Sequence, residues 1–142
     1  MACCTIALDM RKYLNIKQQL QDVGLGLDEC VVIGSGALNA LKLRPAKDID
    51  LMVSEDTYQK LKESGDFRIG TWPDQEVLLK GVFEIGRIWG GENFESAYKK
   101  AFVIDGVAYF NLQDLRKWKL AKGRDKDLRD VQLLDNYLKI NK

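Results

Sequence analysis

The stretch VVIGSGALNALKLRPAKDIDLMV, Val31 to Val53, decides how this chain is read. Val31 to Ile33 continue a β-branched run from Cys30, Gly34-Ser35-Gly36 makes a turn, and Ala37 to Leu43 form a helix that Pro45 must end. Ile49, Leu51 and Val53 then alternate with Asp48, Asp50 and Met52, the period of a strand carrying both aspartates on one face. Each part suits a phosphate. Glycines let backbone N–H groups approach phosphate oxygens, the helix start adds positive dipole, and the Ser35 hydroxyl can donate. Two aspartates at i and i+2 on a strand can share hard cations such as Mg²⁺, which bind oxygen ligands. Two such ions, about 3.5–4 Å apart, stabilise both the attacking and the leaving oxygen of an in-line displacement at phosphorus.

Outward from this stretch, Met10, Tyr13, Leu14, Ile16 and Leu20 recur at helical spacing, which predicts an amphipathic N-terminal helix over about 9–22, stopped by Gly24. Downstream, Glu55 to Ser64 reads as a surface helix. Phe67 to Trp72, Glu76 to Leu79 and Val82 to Ile88 read as the short strands of a meander, and Glu92 to Lys100 as a helix. Asp105-Gly106 between Phe102–Ile104 and Val107–Phe110 signals a hairpin. Asn111 caps a helix running to about Lys122, Gly123 breaks it, and a last helix carries Leu128, Val131, Leu134 and Leu138 on one stripe. The predicted class is α+β: a mixed β-sheet with flanking helices and two closing C-terminal helices. One domain spans 1–142, its core over about 30–110 and the closing helices over about 111–140.

Composition narrows the chemistry. The chain has 142 residues, 46% of them hydrophobic, and a net charge of +1, so attraction to a polyanion must be local rather than general. It has no histidine, which removes Ser-His-Asp and Cys-His catalysis and the usual zinc sites. Cys3, Cys4 and Cys30 fit no zinc spacing, and no window approaches the roughly 18–20 apolar residues that span a bilayer. The reading is a cytoplasmic protein with reduced thiols and no membrane association.

Gly34-Ser35, a short helix, then Asp48-Ile49-Asp50 followed by apolar residues, resembles the signature of the polymerase-beta-like nucleotidyltransferase superfamily. A second stretch, VAYFNLQDLRKWKLAKGRDKDLRDVQLL, Val107 to Leu134, is similar to the end of small stand-alone nucleotidyltransferase-like proteins, including toxin components of abortive-infection systems. The resemblance implies a nucleotidyltransferase-like fold. It also implies that Gly34 and Ser35 contact nucleotide phosphates, that Asp48 and Asp50 bind Mg²⁺, two ions in all, and that a third carboxylate completes the site. Glu84 is the best candidate for that carboxylate, because it breaks the apolar strand Val82-Phe83-Glu84-Ile85; the superfamily more often has aspartate there, and Glu76 is the substitute. Lys119, Arg124 and Lys126 could face the triphosphate, while Asp127 and Asp130 brace the last two helices. Lys47, in a cluster with Lys42 and Arg44, can steer phosphate.

The expected activity is Mg²⁺-dependent transfer of a nucleoside monophosphate from a nucleoside triphosphate to a hydroxyl of RNA, tRNA, protein or a small molecule. A catalytically degenerate nucleotide-binding or protein-partner module on the same fold stays open, as does a partner chain or homodimer completing the cleft. A dinucleotide site is rejected because Asn39 stands where the third glycine would be, and a Walker loop because no lysine-serine or lysine-threonine closes the turn. Leu112, Leu115 and Trp118 read as core; Trp72 and Trp89 read first as packing residues, and either could stack on a nucleobase.

Overall fold

The computed structural model describes residues 12–140. In chain order these form α1 (Ile16–Val23), β1 (Cys30–Ile33), α2 (Gly36–Ala40), β2 (Ile49–Val53), α3 (Glu55–Glu63), β3 (Arg68–Trp72), β4 (Gln75–Lys80) and β5 (Phe83–Gly86). There follow β6 (Ile88–Trp89), β7 (Glu92–Asn93), α4 (Phe94–Lys100), β8 (Phe102–Ile104), β9 (Val107–Tyr109), α5 (Leu112–Lys122) and α6 (Asp125–Ile140). The architecture is α+β, with one mixed seven-stranded sheet in the order β3-β4-β5-β2-β1-β9-β8 and a separate β6-β7 ribbon.

An unbroken apolar strand has no solvent face to offer, so it belongs mid-sheet. Every residue of β1 is buried, and β1 lies between antiparallel β2 and parallel β9. On the other side of β2, β5 runs parallel, then β4 and β3 continue as the antiparallel meander that the glycine and proline punctuation predicts. The Asp105-Gly106 hairpin forms with both residues at positive φ, 53° and 81°, as a tight hairpin turn requires. Helices close over the sheet through Ile16 and Leu20 of α1, Tyr58 of α3, Ala97 of α4, Leu115 of α5 and Leu134 of α6, all buried. No helix among the described residues is long and apolar enough to cross a membrane.

Several boundaries differ from expectation, each for a local reason. Residues 9–11 of the expected first helix lie outside the described residues, as do Cys3 and Cys4. Tyr13 and Leu14 precede the helix rather than joining it. Asn15 caps it by accepting from the Gln18 N–H, and Leu14 exchanges both backbone hydrogen bonds with the buried Asn39 amide, at 3.0 and 2.8 Å. Helix α2 stops at Ala40, before Pro45 can act. Lys42 takes a left-handed conformation (φ 61°), and Leu43 N–H bonds back to Leu38 O while Lys42 N–H bonds to Asn39 O, a Schellman closure. The predicted 82–88 strand is split, with the β6–β7 ribbon following Gly86, so α4 starts at Phe94 and not Glu92, capped reciprocally by Asn93 and Ser96. Leu128, placed on the core stripe of the last helix, is 48% exposed, whereas Asp127 and Asp130 are buried.

Candidate functional site

The turn after β1 and the ends of β2 and β5 open into a cavity of about 560 Å³, closed from the other side by α5 and α6. All nine residues singled out from the sequence line it: Gly34, Ser35, Lys47, Asp48, Asp50, Glu84, Lys119, Arg124 and Lys126. The topology explains why. Parallel pairing of β2 with β5 puts Asp50 directly opposite Glu84, and antiparallel pairing of β1 with β2 puts Ile33, just before the turn, opposite Asp50. Asp48 immediately precedes the strand and is exposed, whereas Asp50 lies within it and is half-buried; both line the cavity, and across the sheet Asp50 pairs with Glu84. Glu76 is elsewhere, accepting from Tyr58 Oη at 2.7 Å and pairing with Lys62 at 3.0 Å, which removes it as the third carboxylate.

Both flanking glycines of the turn are sterically required. A Cβ on Gly36 would lie 2.2 Å from Val32 Cγ1, inside the buried strand, and one on Gly34 (φ 64°) would lie 3.0 Å from Asp50 Oδ2. The turn is thereby drawn onto the carboxylate. Asp50 Oδ1 is buried and has no hydrogen-bond partner among the described residues. Burial, reinforced by Glu84 and Asp48 and opposed by Lys119 and Lys126, pushes the Asp50 carboxyl up to about 7. An unpartnered, crowded carboxylate oxygen is unfavourable unless a proton or cation meets it.

On the opposite wall the cations are organised by two buried aspartates. Asp130 accepts a forked pair of bonds from Arg44 (2.6 and 2.7 Å) and pairs with Lys119 at 2.9 Å, and Asp127 pairs with Arg124 at 2.6 Å. Burial raises the Asp130 carboxyl, but the Arg44 and Lys119 hydrogen bonds outweigh it and hold the group below the usual carboxylate range. Arg44 Nη2 and Lys119 Nζ also donate to Ser35 Oγ, at 2.7 and 3.4 Å. With its acceptor positions occupied, the Ser35 hydroxyl is left with its single proton to donate into the cavity.

Lys119 and Arg124 line the cavity while paired with Asp130 and Asp127; Lys119 is 3% exposed. Lys47 and Lys126 line the cavity and make no ion pair within 4.0 Å among the described residues. Lys42 leaves the cluster and lies over the Tyr13 ring, 4.8 Å from its centroid. Helix α2 has five residues and its N-cap Ser35 makes no capping bond, so positive character here comes from side chains more than from a dipole.

Neither family model, curated protein nor solved structure matches the chain.

Three pairings at or beside the cavity join residues that the sequence names separately but does not bring together. Trp118, read as core, is half-buried and stacks on Trp89 (4.4 Å, 33°), and both line the cavity; Phe110 meets Trp89 edge-on at 5.0 Å. Arg44 and Asp130 are 86 residues apart. Trp72 Nε1 donates to Glu84 Oε1 at 3.2 Å. Asp130 braces the two closing helices through Lys119, as expected, and also holds Arg44, which the sequence does not connect to it. Cys30 is a free, buried thiol, pushed up to about 12 by burial and by Glu29 and Asp28, which makes it a poor nucleophile at neutral pH.

Proposed function

We propose that the chain is a nucleotidyltransferase-fold enzyme that transfers a nucleoside monophosphate from a nucleoside triphosphate to a hydroxyl of RNA, protein or a small molecule. One observation carries the reading: Asp50 and Glu84 stand opposite each other beside the Gly34-Ser35 turn, and Asp50 Oδ1 is buried there without a partner. An orphaned carboxylate oxygen among further carboxylates, with no nitrogen or sulfur donor, is the chemistry that a hard cation satisfies. Asp50, Asp48 and Glu84 would hold Mg²⁺, although among the described residues they are not drawn into a closed cluster of three donors. The chemistry supplied by Mg²⁺ when bound is neutralisation of charge on phosphate oxygens.

The chain's own groups divide the remaining work. Ser35 donates its proton to a phosphate oxygen, and Lys47 and Lys126 face the triphosphate as unpaired cations. The acceptor oxygen forms a bond to the α-phosphorus, the bond to pyrophosphate breaks with its electron pair leaving on pyrophosphate, and the acceptor proton passes to the Glu84 carboxylate. The rival reading, a silent nucleotide-binding module, draws support from the commitment of Lys119 and Arg124 to Asp130 and Asp127. Incubation with α-labelled nucleoside triphosphates, Mg²⁺, and cell RNA or lysate separates the two. Labelled acceptor, reduced about 100-fold or more by Asp50→Ala, supports transfer; triphosphate binding without label supports the module, and equal labelling by Asp50→Ala refutes the site.

A further inference from the structure

Glu84 has one more rotatable bond than the aspartate the resemblance leads one to expect, so its carboxylate needs an external restraint to stay beside Asp50. The sheet supplies one. Trp72 ends β3 and pairs with Gln75 at the tip of the β3–β4 hairpin, and both side chains fold over Gly86 of β5. Gly86 lies two residues beyond Glu84, so the positions share a face. A Cβ on Gly86 would lie 2.5 Å from Trp72 Cζ3 and 3.0 Å from Gln75 Oε1: the absent side chain is the socket that the indole occupies. From that socket the ring reaches along β5 and donates Nε1–H to Glu84 Oε1 at 3.2 Å. Gln75 secures the same strand end, its Oε1 accepting from the backbone N–H groups of Arg87 and Ile88.

We infer that Trp72, seated on Gly86, is the positioning residue for Glu84: the indole fixes the carboxylate rotamer, occupies one acceptor site of Oε1 and leaves Oε2 for the cavity. This rests on the reading of Glu84 as a carboxylate of the metal site. Trp72 itself touches no reacting atom; it does not line the cavity.

The test uses the full chain with ¹⁵N-labelled indoles, whose three tryptophans give three Nε1–H signals, one of them assigned by Trp72→Phe. Glu84→Gln is expected to move the Trp72 signal, while Glu63→Gln, at the exposed end of α3, leaves it in place. Mn²⁺ is then titrated with an α,β-methylene nucleoside triphosphate present and followed by calorimetry. Trp72→Phe keeps an aromatic ring over Gly86 but lacks the N–H, and it is expected to weaken Mn²⁺ binding about 10-fold. Gly86→Ala, which drives the ring off its socket, should weaken it to a similar extent. A Trp72 signal indifferent to Glu84→Gln, or Trp72→Phe binding Mn²⁺ as tightly as wild type, overturns the positioning role while leaving the proposed activity standing. Failure of the wild-type chain to bind Mn²⁺ sinks the metal site itself, and the positioning role with it.

Discussion

Asp50 is held where its charge is disfavoured, and that has a measurable sign. Its folded-state pKa, about 7, lies above the ordinary aspartate value, so the protonated form is favoured in the folded protein. The stability this contributes is fully present below the unfolded pKa, near 3.9, and is lost as pH rises through about 7. In chelator, Asp50→Asn should therefore melt higher than wild type at pH 8, by on the order of 2–4 kcal/mol in stability, and the gain should shrink toward zero below about pH 4. Thermal unfolding at the two pH values checks it; a gain that does not change with pH would mean that Asp50 is not charged and crowded at pH 8. A second residue-scale expectation concerns Gly36. An alanine Cβ would collide with Val32 Cγ1 on a strand that has no room to move, so Gly36→Ala should cost about 1–3 kcal/mol in denaturant melts. Ser35, Asp48 and Asp50 were legible because their spacing lies within one short strand–turn–strand unit. The partners of Trp72, Arg44 and Asp130 were not, because only the sheet or the helix packing brings them near.

Among the elements, the α5–α6 hairpin shows most clearly where pattern reading succeeds and where it stops. Its boundaries were readable from local chemistry: Asn111 caps α5 by accepting from the Gln113 and Asp114 N–H groups, and Gly123 closes it at φ 66°. On α6 Val131 and Leu134 are buried as expected and only Leu128 departs, because a hydrophobic count skips aspartate. The stripe is Asp127, Asp130, Val131 and Leu134, at i, i+3, i+4 and i+7, with carboxylates buried against Arg124, Arg44 and Lys119. Leu128 points off that stripe and stays exposed. Removing a buried carboxylate strands the cations it neutralises, so Asp130→Ala should cost on the order of 3 kcal/mol. Amide exchange in α6 should accelerate more than exchange in β1 or β2, because the ion pairs join this hairpin to the turn. Equal acceleration throughout would assign Asp130 a general packing role instead. Since the folded-state pKa of Asp130 is depressed, its stabilisation is present above the unfolded pKa, near 3.9, and is lost as pH falls through the folded value.

Charge balance over the whole molecule sets the condition under which the cavity can take its ligand. The chain carries a net charge of +1, and the lining holds five cations (Arg44, Lys47, Lys119, Arg124, Lys126) against five carboxylates (Asp48, Asp50, Glu84, Asp127, Asp130). Three of those cations are already matched to Asp127 and Asp130, which leaves Lys47 and Lys126 against Asp48, Asp50 and Glu84. A triphosphate brought in alone would face Asp50 and Glu84 with too little positive charge, and a cation alone would gain only the carboxylates. The two should therefore stabilise the fold together and scarcely at all apart. At a triphosphate concentration about 100 times its dissociation constant with Mg²⁺ present, the linkage is about 2.7 kcal/mol, or roughly 5–10 °C in melting temperature for a chain of this size. Melting curves with triphosphate and chelator, Mg²⁺ alone, both together, and both with Asp50→Asn decide the matter. Only the third should shift substantially, because only there do the unpaired Asp50 oxygen and the phosphates both meet their counter-charge. A shift of the same size with triphosphate and chelator would place the ligand on Lys47 and Lys126 without the carboxylates, and would favour a binding module over a transferase.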